Sequence, residues 1–406
     1  MSKIISGLVD WIDARIPVVK AWNTHVGQYY APKNFNIWYI FGVLAIVVLV
    51  IQFVSGIWLA MSYSPTETGA FASVEYIMRD VNYGWLIRYM HTTGASFFFL
   101  VVYLHMFRGI IYGSSRKPRE LVWLIGMGIF LVLMAAAFTG YLLPWGQMSF
   151  WGAQVITSLF SAIPYIGDSL VLWIRGDYNV SGATLNRYFA LHVVVFPIIL
   201  LILVYLHIIA LHTVGSNNPD GIEIKNLKNA EGHPVDGIRF HPYYSVKDLV
   251  GVIVFLIIFA AVMFFAPEMG GFFIEYPNFT PADWLKTPEH VAPVWYMTPF
   301  YSVLRAVPDK VGGVMAMGAA IAFLFIIPWL DRSPVKSIRY RGNYFKIAIT
   351  VFVISFIVLA YLGTQAPSEA KTMLARVFTI TYFLFFILMP FYTHYDKVKP
   401  VPERVR

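Results

Sequence analysis

The chain has 406 residues, of which 58% are hydrophobic, 17% aromatic and only 13% charged. Soluble domains carry about 25% charged residues, so the composition excludes an ordinary one and points to a polytopic membrane protein. Lys and Arg outnumber Asp and Glu by 30 to 22, for a formal net charge of +8, and Cys is absent. That absence removes disulfides, thiolate zinc sites, iron–sulfur ligation and covalent haem attachment, so any metal must be held by His, Met or carboxylate.

Residues 1–37 carry both charge signs with Trp11 and Trp22 and lack an apolar core followed by a cleavage site. They read as a retained interfacial segment. Eight apolar stretches follow, at 38–61, 85–112, 121–143, 185–212, 246–265, 314–329, 344–363 and 377–392. Each is near the ~20 residues that a helix needs to cross a bilayer. The sixth is short and extends towards 311–313. The expected fold is all-α, with eight transmembrane helices and both termini on one side.

Basic residues are retained on the cytoplasmic side during insertion. Of the 30 Lys and Arg, 20 fall in the N-terminal segment, the loops after spans two, four and six, and the tail, against six in the opposite loops. The positive charge therefore expresses topology, and nucleic acid is not needed to explain it. The far-side loops 144–184 and 267–313 stay apolar and aromatic, as in GQMSFWGAQVITSLFSAIPYIG and PVWYMTPFY. Loops with nothing to cover would be polar, so these are expected as amphipathic helices roofing a pocket at the membrane edge.

Four histidines lie inside apolar spans: His91 and His105 in span two, His192 and His207 in span four. The step from His91 to His105 rises ~21 Å and turns through a net angle of roughly −40°, so both project from nearly one face near opposite leaflets. A single intramembrane His is often a packing residue or proton relay. Two pairs suggest more. Span four is expected antiparallel to span two, with the pairing set by depth: His91 with His192 near the outer side, His105 with His207 near the inner. Each pair can bracket an iron porphyrin, giving two non-covalent bis-His haems that carry electrons. Zinc would want four ligands around one point.

Gly42 and Gly56 in span one, and Gly126 and Gly140 in span three, repeat the same step. Glycine costs about 1 kcal/mol in a helix interior and is retained where a backbone must approach closely, as beside a porphyrin or another helix. Arg88 and Arg108, each three residues from a histidine, suit haem propionates, or else are snorkelling interfacial arginines. His192 and His207 are fifteen apart, which turns the pair roughly 60° out of register. Pro197 between them is expected to kink or rewind the helix and absorb the mismatch.

Over nearly its whole length the chain resembles the cytochrome b family of quinol:cytochrome c oxidoreductases. The resemblance rests on RDVNYGWLIRYMH, GYLLPWGQMSFWGAQVIT, TLNRYFALH, LHTVGSNNP, FHPYYSVKD and PVWYMTPFYSVLRAVPDKVGG. Eight spans in one chain resemble the bacterial and mitochondrial form, whereas the fifteen-residue step looks like the chloroplast relatives. The resemblance implies a low-potential haem at His91 and His192, a high-potential haem at His105 and His207, and a Q-cycle. In that cycle quinol is oxidised outside and quinone reduced inside, with ubiquinol and ubiquinone as substrates.

It further implies a Rieske iron–sulfur protein and a cytochrome c1-type subunit as partners, a homodimer of the complex, and a bacterial inner membrane with cytoplasmic termini. The organisation it suggests is an interfacial segment at 1–37, a four-helix dihaem-binding bundle at 38–212 and a cytoplasmic loop at 213–245. A C-terminal four-helix region at 246–394, with its quinol-site loop 267–313, and a tail at 395–406 complete it.

By the same analogy Phe138, Tyr141, Gly152, Ile156, Pro293, Val294, Trp295, Tyr296 and Tyr301 line the quinol-oxidation site, with Tyr141 and Tyr296 counted among the catalytic residues. The family usually reads Pro-Glu-Trp-Tyr, where this chain has Val294. Valine cannot take the proton commonly assigned to that Glu. Glu275, Asp283, Glu289 and His290 are the substitutes at hand, and Glu275, set in the aromatic run FFIEYPNF, is favoured as catalytic. The inner quinone-reduction site is expected at His212, Ser216, Lys247 and Asp248. Taken without the family, Lys247 and Asp248 are a charge pair at a span start and His212 an interfacial histidine. Two other functions remain: a dihaem membrane anchor of a dehydrogenase, which usually has fewer spans and no roofed loops, and a non-haem transporter.

Overall fold

The computed structural model describes residues 3–406, so Met1 and Ser2 of the expected interfacial segment lie outside the described residues. Among the described residues eight helices are long and apolar enough to cross a membrane: Ile37–Ser62, Gly84–Ile111, Glu120–Leu142, Gly182–Val214, Phe240–Phe265, Lys310–Leu330, Asn343–Gly363 and Glu369–Ile387. The all-α, eight-span expectation holds. One small antiparallel ribbon, Tyr30–Pro32 against Gly237–Arg239, ties the N-terminal segment to the loop after span four.

Three boundaries show what apolarity alone leaves open. Span six begins at Lys310, where the Asp309 carboxylate accepts the Gly312 N–H at 2.6 Å and caps the helix. The eighth span runs eight residues earlier than 377–392 suggested. Its start is set by Ser368, whose hydroxyl accepts the Lys371 N–H, and its first turn is the polar EAKT. It stops at Ile387, and Pro390 opens a separate short helix, Met389–Tyr395. Capping and proline fix these ends, and neither registers as hydropathy.

Span one packs along span two, and span three along span four. Spans two and four run parallel, correcting the antiparallel expectation. One intervening span returns the chain to its first direction, which is why residues early in each span meet: His91 with His192 and His105 with His207. Span five leans on spans one and two, while spans six to eight gather around the short helix Thr298–Ala306. Trp123 Nε1 donates to the Leu324 carbonyl at 2.8 Å and Tyr103 to the Tyr296 carbonyl at 2.5 Å, joining the two halves. Faces away from these contacts carry exposed Val50, Val54 and Ile57, as lipid requires.

The outer loops form the expected roof. Helices Gln147–Leu159 and Gly167–Arg175 come from the first loop, and 3-10 turns Tyr276–Phe279 and Trp295–Met297 from the second. Asn278 laces them together: its Oδ1 accepts the Ser149 N–H at 3.0 Å and its Nδ2 donates to Ser149 Oγ at 2.9 Å. On the opposite face the five basic segments converge. Arg119 and Lys336 each reach Glu223 at 2.6 Å, Arg341 reaches Asp331 at 2.5 Å, and Lys33 and Arg404 share Asp236.

Candidate functional site

The ring centres of His91 and His192 are 6.1 Å apart, and those of His105 and His207 are 6.4 Å apart. A metal held at ~2 Å by one nitrogen of each of two imidazoles sets their ring centres about 6 Å apart, so both gaps suit one ion. Among the described residues no third His, Asp or Glu joins either pair. Each pair could therefore supply only two ligands, which would suit a metal that brings its remaining donors with it, as the iron of a haem does.

The fifteen-residue step is resolved locally. Leu191–Val195 forms a π-turn directly before Phe196 and Pro197. A π-turn holds one more residue than an α-turn, so the extra position is taken up before it can rotate His207 away.

Groups behind the rings set which nitrogen faces the gap. Ser55 Oγ lies 2.9 Å from His91 Nδ1, the Ala136 carbonyl 2.8 Å from His192 Nδ1, and Arg108 Nη2 3.3 Å from His105 Nδ1. Ser55 and the Ala136 carbonyl can accept from Nδ1–H, which leaves Nε2 of His91 and His192 for a metal, the arrangement that outer partners usually impose on a ligand histidine, whereas Arg108 can only donate and imposes no such tautomer on His105. Sequence reasoning missed Ser55; its signal was a lone buried hydroxyl beside Gly56 in an apolar run.

Each glycine meets one histidine. A Cβ on Gly56 would sit 3.2 Å from His91 Cε1, on Gly42 3.3 Å from His105 Cε1 and on Gly126 3.2 Å from His207 Cε1, and on Gly140 it would enter the His192 ring. Gly140 is the tightest. Gly140→Ala is accordingly expected to displace His192 and lower the haem content of the purified protein by about half, since one of two ligand pairs is lost. Pigment analysis per chain measures this, and full content in the variant contradicts it. Near the inner pair, Arg108 packs 4.8 Å over the Tyr39 ring and its Nε is buried without a partner. An anionic group of a bound cofactor would satisfy it.

One cavity joins the outer histidines to the roof: His91, His192, Arg88, Tyr141, Val294 and Tyr296 all border it. A second cavity of about 640 Å³ lies beyond, bordered by Glu275, Pro293, Trp295, Glu289 and His290. Glu275 stands between the two, its Oε2 accepting the Tyr141 hydroxyl at 2.7 Å. Burial pushes the Glu275 carboxyl up to about 7, against the opposing pull of the Tyr141 hydrogen bond. Asp283 and Glu289 are exposed. His290 lies 3.3 Å from the Thr364 carbonyl and is held below the usual histidine range by burial. Val294 is buried and apolar.

Tyr296 stacks on Phe99 with centroids 3.9 Å apart, and Trp295 Nε1 donates to Ser96 Oγ at 3.1 Å. Phe138, Gly152, Ile156 and Tyr301 border neither of these two cavities. Phe138 packs on Tyr188, Gly152 sits beside the Tyr141 ring, and Tyr301 donates to the Val291 carbonyl at 3.2 Å.

On the inner side His212 and Ser216 come together through Tyr29. Its ring lies 4.6 Å from that of His212, and its hydroxyl is 3.0 Å from Ser216 Oγ. Lys247 and Asp248 open the helical run of span five, and Lys247 Nζ lies 5.9 Å from the Tyr244 ring centre. They connect to His212 by way of the rings of Tyr29, Phe240 and Tyr244, at 6.3 and 6.1 Å spacings.

Residues 26–215 match the family described as Cytochrome b/b6/petB, and residues 281–383 match Cytochrome b(C-terminal)/b6/petD. The chain is 62% identical over 405 residues to a cytochrome b of Allochromatium vinosum, covering 98% of both chains. Against a cytochrome b of Rickettsia prowazekii it is 49% identical over 400 residues, covering 98% of this chain and 97% of the relative. A solved chain of a hyperthermophilic respiratory Complex III superposes with a TM-score of 0.88 at 40% identity, covering 95% of this chain and 98% of that one. With eight spans, paired intramembrane histidines and these relatives, the chain belongs to the cytochrome b family, the haem-binding, multi-pass subunit of the quinol:cytochrome c oxidoreductase of respiratory complex III.

Proposed function

We propose that this chain holds two non-covalent b-type haems, one between His91 and His192 towards the outer side and one between His105 and His207 towards the inner. Bound there, they carry electrons one at a time between the two faces. The observation that carries the reading is the cavity that brings the outer histidines, the roofed loops and Tyr141, whose hydroxyl bonds Glu275 at the edge of the second cavity, into one space. Arg88 and Arg108 are placed to neutralise haem propionates.

Ubiquinol oxidation belongs in the outer cavity. Tyr141 and Tyr296 border the substrate's space, and Glu275 takes its proton in place of the carboxylate that Val294 lacks. From Glu275 the proton leaves through the second cavity, past His290. Ubiquinone reduction belongs at His212 and Ser216, with Lys247 and Asp248 supplying charge and protons from the inner water. Together these steps constitute a Q-cycle, in which protons are released outside and taken up inside.

The electron acceptor at the outer face is a Rieske iron–sulfur protein, followed by a cytochrome c1-type subunit, in a homodimeric complex. The organisation is a dihaem bundle at 38–212 and a C-terminal region at 246–394, joined by the inner loop 213–245 and flanked by the segments 1–37 and 395–406. The distribution of Lys and Arg supports a bacterial inner membrane with both termini cytoplasmic. Eight spans and a roofed outer cavity favour this over a dihaem anchor or a transporter.

A redox titration of the haem spectrum in the assembled complex tests the reading. Two separate b-type steps are expected, only one of them displaced by an inhibitor of the inner site. A single step, or none, overturns it.

A further inference from the structure

The N-terminal segment brings to the inner site a residue that neither spacing nor resemblance singled out. His25 sits in the π-turn Asn23–Gly27, and its Nδ1 lies 2.8 Å from His212 Nδ1. The two rings stack, with centroids 5.0 Å apart and planes 20° apart. His25 is exposed and His212 half-buried, so one hydrogen bond links the aqueous face to the pocket. Tyr29 holds His212 and Ser216 together. With Nδ1 engaged by His25, the ring nitrogen that His212 can turn to a bound molecule is Nε2.

We propose that His25 is the proton-relay residue of the inner site, passing a proton through His212 to a carbonyl oxygen of bound quinone. The proposal rests on the reading of His212 and Ser216 as the quinone-reduction site. As the quinone is reduced by electrons from the cytochrome's own haems, the Nε2–H bond of His212 breaks and an O–H bond forms on the quinone. In the same movement the Nδ1–H bond of cationic His25 breaks and an N–H bond forms at His212 Nδ1. One proton has moved from His25 to the quinone, and His25 is left neutral. The second proton, needed with the second electron to complete the quinol, comes through Asp248. Both rings reset with water before the next turnover.

The titratable and charged groups on the elements packed around the pair are Tyr29, Lys225, His241, Lys247 and Asp248. Lys225 Nζ bonds the Thr213 carbonyl at 2.9 Å, and His241 packs 5.7 Å from the Trp22 ring beside the turn that carries His25. Tyr29 packs on the His212 ring but turns its hydroxyl to Ser216, and Lys225 reaches backbone carbonyls only, so the hydrogen bond to His212 Nδ1 comes from His25, the route inward.

The test uses the whole complex in vesicles with the outer site inhibited, and follows reduction of b haem by added short-chain quinol entering through the inner site. This is the relay run backwards, and it obeys the same barrier. H25A and H25N are expected to slow it by roughly tenfold or more at pH 8 and much less at pH 6, because protons must then be exchanged with water directly. The quinol concentration at half-maximal rate should not change, and external imidazole should restore H25A. Wild-type rates across the pH range overturn the relay, as does a pH-independent loss that imidazole does not repair. H212N separates the two readings. A slowed H212N beside an unaffected H25A leaves the site standing without the relay, whereas wild-type rates in both variants remove the site itself.

Discussion

His192→Leu is expected to abolish the outer b-haem spectrum while the inner one persists, and to stop quinol:cytochrome c turnover. The ring faces His91 across a gap that suits one ion, and among the described residues no third His, Asp or Glu stands by to replace it. Loss of an outer partner of a metal ligand usually costs 10–100-fold in affinity or activity, so loss of the ligand itself should cost more than about a hundredfold. Leucine fills the space without offering a lone pair, which keeps the bundle packed and separates ligation from folding. The control is Ser55→Ala, which removes only the group behind His91 and should shift that haem's potential without bleaching it. Difference spectra at controlled potential read both variants. If His192→Leu keeps two full b-type signals, the assignment of this pair is wrong.

Glu275→Gln should slow quinol oxidation without changing either haem spectrum. Glutamine keeps the shape and can still accept from the Tyr141 hydroxyl, but it cannot take a proton, so the loss measures base chemistry. Positioned general bases contribute about 10²- to 10⁴-fold, and the second cavity's water should recover part of that, leaving a deficit of at least about tenfold. The pH dependence gives the sign. Burial raises the Glu275 carboxyl to about 7, so below that pH it is already protonated and cannot act as a base. Wild-type rate should therefore climb as pH rises through about 7, whereas the variant stays low and flat, and the two should converge in acid. Stopped-flow reduction of the outer haem over that range decides it, and parallel profiles would exclude Glu275.

Much of this was legible in the sequence because membrane proteins write their architecture in hydropathy. The eight spans and the histidine pairs follow from lengths and a repeated step along helices. What stayed hidden depends on atoms that pattern does not encode. The start of the eighth span at Glu369 is decided by the Ser368 hydroxyl, and its end by the break before Pro390. Roofing was expected from apolar loops, but only folding brings Glu275 to Tyr141, 134 positions away in the chain, or His25 to His212, 187 away. Analogy puts Phe138 and Tyr301 at the quinol pocket; the fold adds that Phe138 packs against Tyr188 and that Tyr301 bonds the Val291 carbonyl, contacts that residue type does not encode.

The wide turn at Leu191–Val195 has a consequence for chain length. In an unbroken helix a surplus residue swings everything beyond it by about 100°. Here the surplus is parked in a single loosened rung, and the segments above and below keep a common azimuth. Span four can thus shed one residue at that rung, closing it to an ordinary turn, without re-aiming either imidazole, a tolerance of deletion that a regular helix denies.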